Sequence, residues 1–368
     1  MIGASIPFLS LTPGEDAADV AAAIERVVAR GWFILGPEVE AFEAEFARVC
    51  GTAHAVGVGS GTDAIALTLR AAGVGPGDEV ITSPLSAAFS ALAIMMTGAR
   101  PVFADVDPLR LTIDPKEIEP AITPRTRAIL PVHLYGQPAD MPAIERIASK
   151  HGVAVIEDCC QAHLATANGR PVGTFGLAGA FSFYPTKNLG ALGDGGAVVT
   201  NDSALADRLR RLRNGGQSAH YRHDAFGINS RLDELQAAVL RARLAYLPRW
   251  TARRRQIAAR YRRALSDCRS GARVLPEFDA GHVYHLFVIR TANRASFQTA
   301  LAARGVQTLI HYPLPIPRQR ALANESVAAC PEADRACAEV LSLPLHHALT
   351  DAAADVVAQA VKEGLCVP

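Results

Sequence analysis

The sequence lacks an excess of charge of either sign. Lys and Arg number 37 against 36 Asp and Glu, for a formal net charge of +1, so no global field draws nucleic acid or an anionic membrane surface. It also lacks cysteines at ligand or redox spacing. The seven stand at positions 50, 159, 160, 268, 330, 337 and 366. An odd number with no Cys-x-x-Cys argues against a disulfide framework and a zinc site, and it fits a reducing cytoplasm. No metal is expected, and the adjacent Cys159 and Cys160 read as small packing residues. No unbroken apolar run is long enough for a membrane span. The uncharged stretch from Ile81 to Ala99 contains Pro84, Gly98 and hydroxyl residues, so it reads as a buried turn and helix. The opening "MIGASIPFLS" has no basic stretch, so a secretory signal is not expected. Internal repeats and low-complexity linkers are absent. The one basic concentration, "PRWTARRRQIAARYRR" at 248–263, reads as a solvated helix face, because no nucleic-acid motif accompanies it.

What is present is an ordinary globular balance in a chain of 368 residues, 49% hydrophobic and 20% charged. That is enough for two domains and a large core. Val39, Phe42, Phe46 and Val49 recur at helical spacing. "HAVGV" (54–58) reads as a strand entering a helix that carries Ile65, Leu69 and Ala72 on one face. Further short apolar runs follow at "DEVIT" (78–82), "RPVFAD" (100–105), "RAILPVH" (127–133), "VAVIED" (153–158), "GAFSFYP" (179–185) and "GGAVVTND" (195–202). Helical stretches lie between them. Strands alternating with helices predict an α/β fold with a mostly parallel sheet covered on both faces. A long helix is expected at about 230–246. Beyond it, "YHLFVIR" (284–290), a helix near 294–304 and "VQTLIHYPLP" suggest a smaller α+β domain. The expected division is 1–250 and 251–368.

Three features stand where chemistry in such a sheet is expected, outside the carboxyl ends of the strands. "GSGTDA" (59–64) joins a strand to a helix, and its glycines and free N–H groups with Thr62 would suit an anion. It lacks the lysine of a P-loop, and a purely structural turn also fits. Asp158 ends an apolar strand, and a buried carboxylate there needs a cationic or strongly donating partner. That partner could be a protonated pyridine nitrogen, an arginine or Mg²⁺, and a helix cap fits too. Lys187, in "FSFYPTKNLG", is either a surface lysine or an amine whose pKa apolar surroundings depress. Taken together, anion cradle, acid and lysine match the needs of pyridoxal 5′-phosphate (PLP).

The ordered set "GSGTDAI", "GPGDEVI", "GARPVFADVD", "PVHLYGQPADM", "VIEDCCQAH", "FSFYPTKNLGALGDGGAVVTND" and "NSRLDELQAAVL" resembles the DegT/DnrJ family of nucleotide-sugar aminotransferases. The resemblance reaches "HYPLP" at 311–315. It implies an aspartate-aminotransferase-like PLP fold with a mostly parallel seven-stranded sheet and a smaller C-terminal domain. It also implies a homodimer whose active sites are shared between subunits. By this resemblance Lys187 is the lysine that holds PLP as an aldimine and moves protons, Asp158 is the partner of the pyridine nitrogen, and Gln161 lies on the phenolic oxygen side. Gly61, Thr62 and Ser182 would hold the phosphate, and Asn229 would reach it from the neighbouring subunit. His163, Tyr184 and Tyr312 fall in segments near sugar or cofactor. The family usually has a ring-stacking aromatic after "DEVIT". Here Ala87 stands at that place, so Phe89 is the candidate. The implied activity is transamination of a nucleotide-linked, dTDP-type keto-deoxysugar with L-glutamate as donor. The N-terminal "GWFILGPEVEAFEAEFA" with "PVHLYGQPADM" most resembles members acting at the 3-keto position of dTDP-sugars, with 4-keto amination or a non-catalytic regulatory protein as alternatives. Lys187 argues against the deoxygenating relatives, in which histidine replaces it.

Overall fold

The computed structural model describes residues 5–266, 271–322 and 329–364. Cys268 and Cys366 lie outside these residues. Cys50, Cys159, Cys160 and Cys337 are free thiols. No helix among the described residues is long and apolar enough to cross a membrane.

The apolar runs become the strands β1 (His54–Val58), β2 (Glu79–Thr82), β3 (Arg100–Phe103), β4 (Thr126–Leu130), β5 (Ala154–Asp158), β6 (Ala178–Ser182) and β7 (Gly196–Thr200). They form one seven-stranded sheet in the order β1-β7-β6-β5-β4-β2-β3. Pairing is parallel from β3 through β6, whereas β7 runs against both of its neighbours. The strands are almost entirely buried. Two-sided burial explains why they read as continuous apolar runs rather than alternating ones.

Helices α1 (Ala17–Arg30), α2 (Pro37–Cys50), α3 (Gly61–Ala71), α4 (Phe89–Met95), α5 (Pro115–Ala121), α6 (Met141–His151), α7 (Ser203–Leu212) and α8 (Glu234–Leu244) surround the sheet. On one side Phe42 and Phe46 of α2 pack on Phe181 and Phe183, with ring centroids 5.1–5.3 Å apart across the two elements. On the other side Ile65, Leu67 and Leu69 of α3 join Val56, Ile156 and Val198. Val49, placed on the apolar face of α2 by its spacing, is 40% exposed. The start of α2 is capped from a distance, because the Glu234 carboxylate accepts hydrogen bonds from the backbone N–H of Gly36, Glu38 and Val39 at 2.8–2.9 Å. That satisfies N–H groups at a helix start, which have no partner within the helix.

Helix α9 (Leu247–Leu265) runs unbroken through residue 250. Leu247 packs in the core under α2, whereas Ile257, Ala258, Tyr261 and Leu265 join the C-terminal core. That core is built on the antiparallel strands β8 (Arg273–Val274), β9 (Phe287–Arg290) and β10 (Val340–Leu343), with α10 (Arg294–Ala303), α11 (Pro331–Glu339) and α12 (Asp351–Gly364). The N-terminal segment also reaches it, since Ile6 bridges Val306. The arginine run is less solvated than expected. Arg253 and Arg260 pair with Asp351 and Asp355 of α12, and Arg254 is only 3% exposed.

Candidate active site

The carboxyl ends of β1, β5 and β6 meet at one edge of the sheet, where a parallel sheet exposes its loops to ligands. At the end of β1, Ser60 caps α3 by accepting from Asp63 N–H at 3.1 Å. The N–H groups of the first helical turn, including Gly61 and Thr62, have no intrahelical acceptor. Asp63 is turned aside, because its carboxylate accepts from Ser230 Oγ at 2.7 Å, and that hydroxyl in turn accepts from Gly59 N–H at 2.9 Å. Gly61 is required by contact. A Cβ there would stand 2.6 Å from Ser182 Cβ and 2.9 Å from Cys160 Sγ. The turn, the tip of β6 and Cys160, two residues after Asp158, are therefore pressed together.

Asp158 ends β5 and is buried. Its Oδ2 accepts from Ser90 Oγ at 2.7 Å and its Oδ1 from Cys160 N–H at 3.1 Å. The backbone is fixed as well, with Asp158 N–H donating to Pro131 O and His133 N–H donating to Asp158 O. Next to it, Glu157 accepts from the N–H groups of Gly173, Phe175 and Gly176 and from His133 Nε2 at 3.1 Å. Ala139 N–H donates to His133 Nδ1, which places the ring proton on Nε2. Glu157, His133 and Cys159 lie close enough together to hold a metal. The carboxylate and the imidazole are already saturated by internal donors, so this cluster is a brace for the strand tip.

Lys187 follows β6 on a loop folded tightly on itself. Lys187 N–H donates to Tyr184 O, and Ala191 N–H to Phe183 O. Gly190 is needed because a Cβ would lie 2.5 Å from Pro185 O. Buried Arg243, paired with Asp16 at 2.8 Å, donates to Gly190 O at 2.6 Å. Asn188 ties the loop to the C-terminal part, donating to Val283 O at 3.1 Å and meeting His285 Nδ1 at 3.2 Å. Burial lowers the Lys187 pKa, while the Cys160 and Asp158 side chains nearby oppose that shift. The amine and the carboxylate therefore share one electrostatic site. Burial, and then the Lys187 charge, push His163 down to about 3.

Gln161 is a second hub. Its Oε1 accepts from Tyr135 N–H at 2.7 Å, and its Nε2 donates to Tyr312 Oη at 3.0 Å. The Tyr135 hydroxyl donates to His311 O. Burial pushes the Tyr312 phenol up to about 12.

The structure thus brings together Gly61, Asp158, Gln161, Ser182, Lys187 and Tyr312, with Thr62 at the helix start. His163 is 1% exposed, its ring against Phe181 and Phe183, so it stands behind the site rather than lining it. Tyr184 is 52% exposed on the lysine loop, and Phe89 is exposed at the first position of α4, one residue before Ser90. Asn229 does not open the long helix. That helix begins at Glu234, five residues later, because bridges Asn214↔Asn229 and Ile34↔Asp233 hold the approach extended. Asn229 is exposed. Ser90, Tyr135, Asn188 and His285 were not anticipated. The Cys160 contact had a signal: an aspartate at a strand end readily accepts from the N–H two residues on.

The profile of the DegT/DnrJ/EryC1/StrS aminotransferase family matches residues 15–362. The dTDP-3-amino-3,4,6-trideoxy-alpha-D-glucose transaminase of Streptomyces venezuelae is 49% identical over 97% of this chain and 96% of its own length. The crystal structure of S. venezuelae DesV in complex with a ketimine intermediate superposes with a TM-score of 0.96 at 48% identity, covering 99% of this chain and all of that one. NtdA of Bacillus subtilis, solved with bound cofactor PMP, superposes with a TM-score of 0.92 at 32% identity over 98% of this chain and 85% of its own. The chain belongs to the DegT/DnrJ/EryC1/StrS aminotransferase family.

Proposed function

We propose that the protein is a PLP-dependent transaminase that moves an amino group from L-glutamate to the 3-keto position of a dTDP-linked deoxysugar. The observation that carries this reading is the pairing of the desolvated Lys187 amine with the doubly held Asp158 carboxylate in one site. The 49% identity to a transaminase named for a 3-amino dTDP-sugar supports the substrate and the position.

The residues present fit PLP. The free N–H groups before and at Thr62 lie beside Ser182 across a gap that only glycine at 61 permits, which suits a phosphate. Asp158 offers a buried carboxylate to a protonated pyridine nitrogen, and Gln161 borders the phenolic side. When bound, the cofactor withdraws electrons from the donor's Cα and carries the amino group between the two substrates. Lys187 Nζ takes the proton from the donor Cα and later delivers one to the sugar carbon. Burial lowers its pKa from the ordinary lysine value, the direction that suits a group that must give up as well as accept protons. Ser90 and the Cys160 N–H hold Asp158 in place, and Asn188 and Arg243 hold the Lys187 loop. Tyr184 and Tyr312 are assigned to the sugar side, Phe89 to the face of the pyridine ring, and His163 supports Lys187 from behind.

We assign the protein to the cytoplasm as a homodimer, with Asn229 of one subunit completing the phosphate site of the other. The division 1–250 and 251–368 is kept as a functional one, α9 joining the two parts. The test is turnover of dTDP-3-keto and dTDP-4-keto deoxysugars with L-glutamate, read by mass of the aminosugar. Amination of the 3-keto substrate is expected. Exclusive amination of the 4-keto substrate overturns the position, and no amination of either overturns the function.

A further inference from the structure

Gln161 and the 311–312 segment are linked through one residue, Tyr135, whose backbone is unusual. Tyr135 follows β4 in a tight turn and stands at φ 60°, ψ 8°, the left-handed region that bulky side chains rarely enter. It is only 3% exposed. A turn alone would be served without strain by glycine, which stands at the next position, Gly136, with φ 89°. Strain of this kind persists where the surroundings fix it, and it gathers at functional sites. The contacts of Tyr135 therefore decide what it serves.

Those contacts close a ring. Tyr135 N–H donates to Gln161 Oε1 at 2.7 Å, Gln161 Nε2 donates to Tyr312 Oη at 3.0 Å, and the Tyr135 hydroxyl donates to O of His311, the residue before Tyr312. The ring has a direction. A backbone N–H can only donate, so the amide atom facing it is the oxygen, and the other side of Gln161 is the NH2. One of its two N–H groups goes to Tyr312 and one is left over. Tyr312 Oη accepts that bond and donates to no group among the described residues, so its O–H is left over as well. The C-terminal part holds the turn from the other side, Leu286 N–H donating to Tyr135 O at 3.3 Å and Val283 N–H to Gly136 O at 3.0 Å.

Resting on the transaminase reading above, we propose that Tyr135 is a positioning residue: its N–H fixes the Gln161 amide with the NH2 toward the ligand, and its hydroxyl holds Tyr312 beside it. Two donors then face the ligand, Gln161 on the phenolic side of the cofactor and Tyr312 on the sugar side. Turned over, the amide would set its oxygen against the phenolic oxygen and its NH2 against the Tyr135 N–H. Donors fixed in advance cost no reorganisation at the moment of reaction.

Hydrogen exchange in the cofactor-free protein and the visible absorbance of added PLP test this separately. Tyr135→Phe deletes only the hydroxyl. Exchange across 309–314 should quicken about fivefold, the scale of one hydrogen bond. In the loaded protein, a donor on the phenolic oxygen draws off charge that favours a proton on the neighbouring lysine-bound nitrogen. Tyr135→Phe and Tyr312→Phe both let the Gln161 amide turn. Each should raise the pH midpoint of the absorbance change by about 0.5, and the double variant by no more than either. Gln161→Glu, which keeps the bond to Tyr135 but replaces the donor with an acceptor, should raise it further. A tyrosine that only packs would lower the melting temperature and leave the midpoint in place. That result, or additive shifts, overturns the proposal. If Tyr135→Phe does not fold, Gln161→Ala replaces it. Exchange should then quicken both at Tyr135 N–H and across 309–314, and quickening at one alone overturns the ring. If wild type gives no visible band with PLP, the transaminase reading fails, and the exchange results decide the ring by themselves.

Discussion

Ser90 Oγ donates a 2.7 Å hydrogen bond to Asp158 Oδ2, linking the first turn of α4 to the tip of β5 across 68 residues of sequence. With Cys160 N–H on the other oxygen, both lobes of the carboxylate have a donor. Asp158→Asn keeps the shape and removes the charge that would face the pyridine nitrogen. It should lower kcat at least about a hundredfold, as expected when a preorganised charge is lost from a site. Ser90→Ala leaves the charge and removes one donor to it, worth about 1.5–3 kcal/mol, so a smaller loss in kcat is expected. Steady-state rates at saturating PLP measure both, and a larger loss in Ser90→Ala than in Asp158→Asn contradicts the assignment.

Lys187→Ala should abolish turnover and the absorbance of lysine-bound cofactor. It should not lower stability in the cofactor-free protein. The sign follows from the lowered pKa. Burial disfavours the charged amine in the folded chain relative to the unfolded one, so that desolvation is a cost that the alanine variant escapes. Denaturation of the cofactor-free proteins checks this. A marked drop in the midpoint would mean that Lys187 is mainly a structural anchor.

Stability should fall as pH drops below about 6.5, the ordinary histidine value. Burial holds His163 and His282 down to about 3, and His311, His346 and His347 to about 4. Between pH 6.5 and those values the unfolded chain binds protons that the folded chain refuses. The folded state therefore loses about 1.4 kcal/mol per pH unit for each such group. Urea midpoints should be flat above pH 7 and decline steeply towards pH 5. His163→Phe removes one proton from this difference, so its profile should be shallower by that amount. Identical slopes would show that His163 is protonated in the folded protein.

Some of this site was legible in the sequence and some was not, for a physical reason. Strands buried on both faces read as apolar runs, so a charged residue ending one, as Asp158 does, stands out without any structure. Lys187 stood out similarly in a segment of small and aromatic residues. Ser90, Tyr135 and Asn188 are ordinary polar residues whose partners lie 68, 26 and 97 positions away. No local pattern marks such pairings, because tertiary folding creates them. Arg254 shows the opposite failure. It sits in a run of basic residues that looks solvated, and only packing of α9 against the 284–285 and 345–346 segments buries it. Asn229 was misplaced relative to its helix because β-bridges, invisible in periodicity, delay the helix start.

Phe89 is the candidate to cover the pyridine ring where Ala87 offers no side chain. Its exposure at the first turn of α4 leaves the ring free to meet a ligand. Phe89→Ala should weaken PLP retention by about 0.5–1.5 kcal/mol or somewhat more, the range of an aromatic contact. Dialysis against buffer without cofactor, followed by absorbance, measures it. Retention equal to wild type assigns the ring face to another residue.

The shared-site assignment for Asn229 has a sharper test than loss of activity. Asn229 is exposed and lies in the bridge with Asn214, beside Ser230, which braces the Gly59–Asp63 turn. From that surface its amide can serve a second copy of the chain. Asn229→Asp would direct a negative charge at a phosphate held by the other subunit's Gly61, Thr62 and Ser182, so the homodimer should be inactive. Lys187→Ala homodimers should also be inactive. In a mixed dimer of the two, one site combines both lesions, and the other has an intact Lys187 with an intact Asn229 from its neighbour. Half of the sites in mixed dimers should therefore work. The isolated mixed dimer should therefore show about half of the wild-type activity, and the unfractionated mixture, in which random pairing makes about half of all dimers mixed, about a quarter. This expectation follows from cyclic pairing of two identical chains. Refolding equal amounts of differently tagged variants, isolating the doubly tagged species and assaying it measures the recovery. If that species is inactive although dimeric, each site is built from a single chain and Asn229 has no role across the interface.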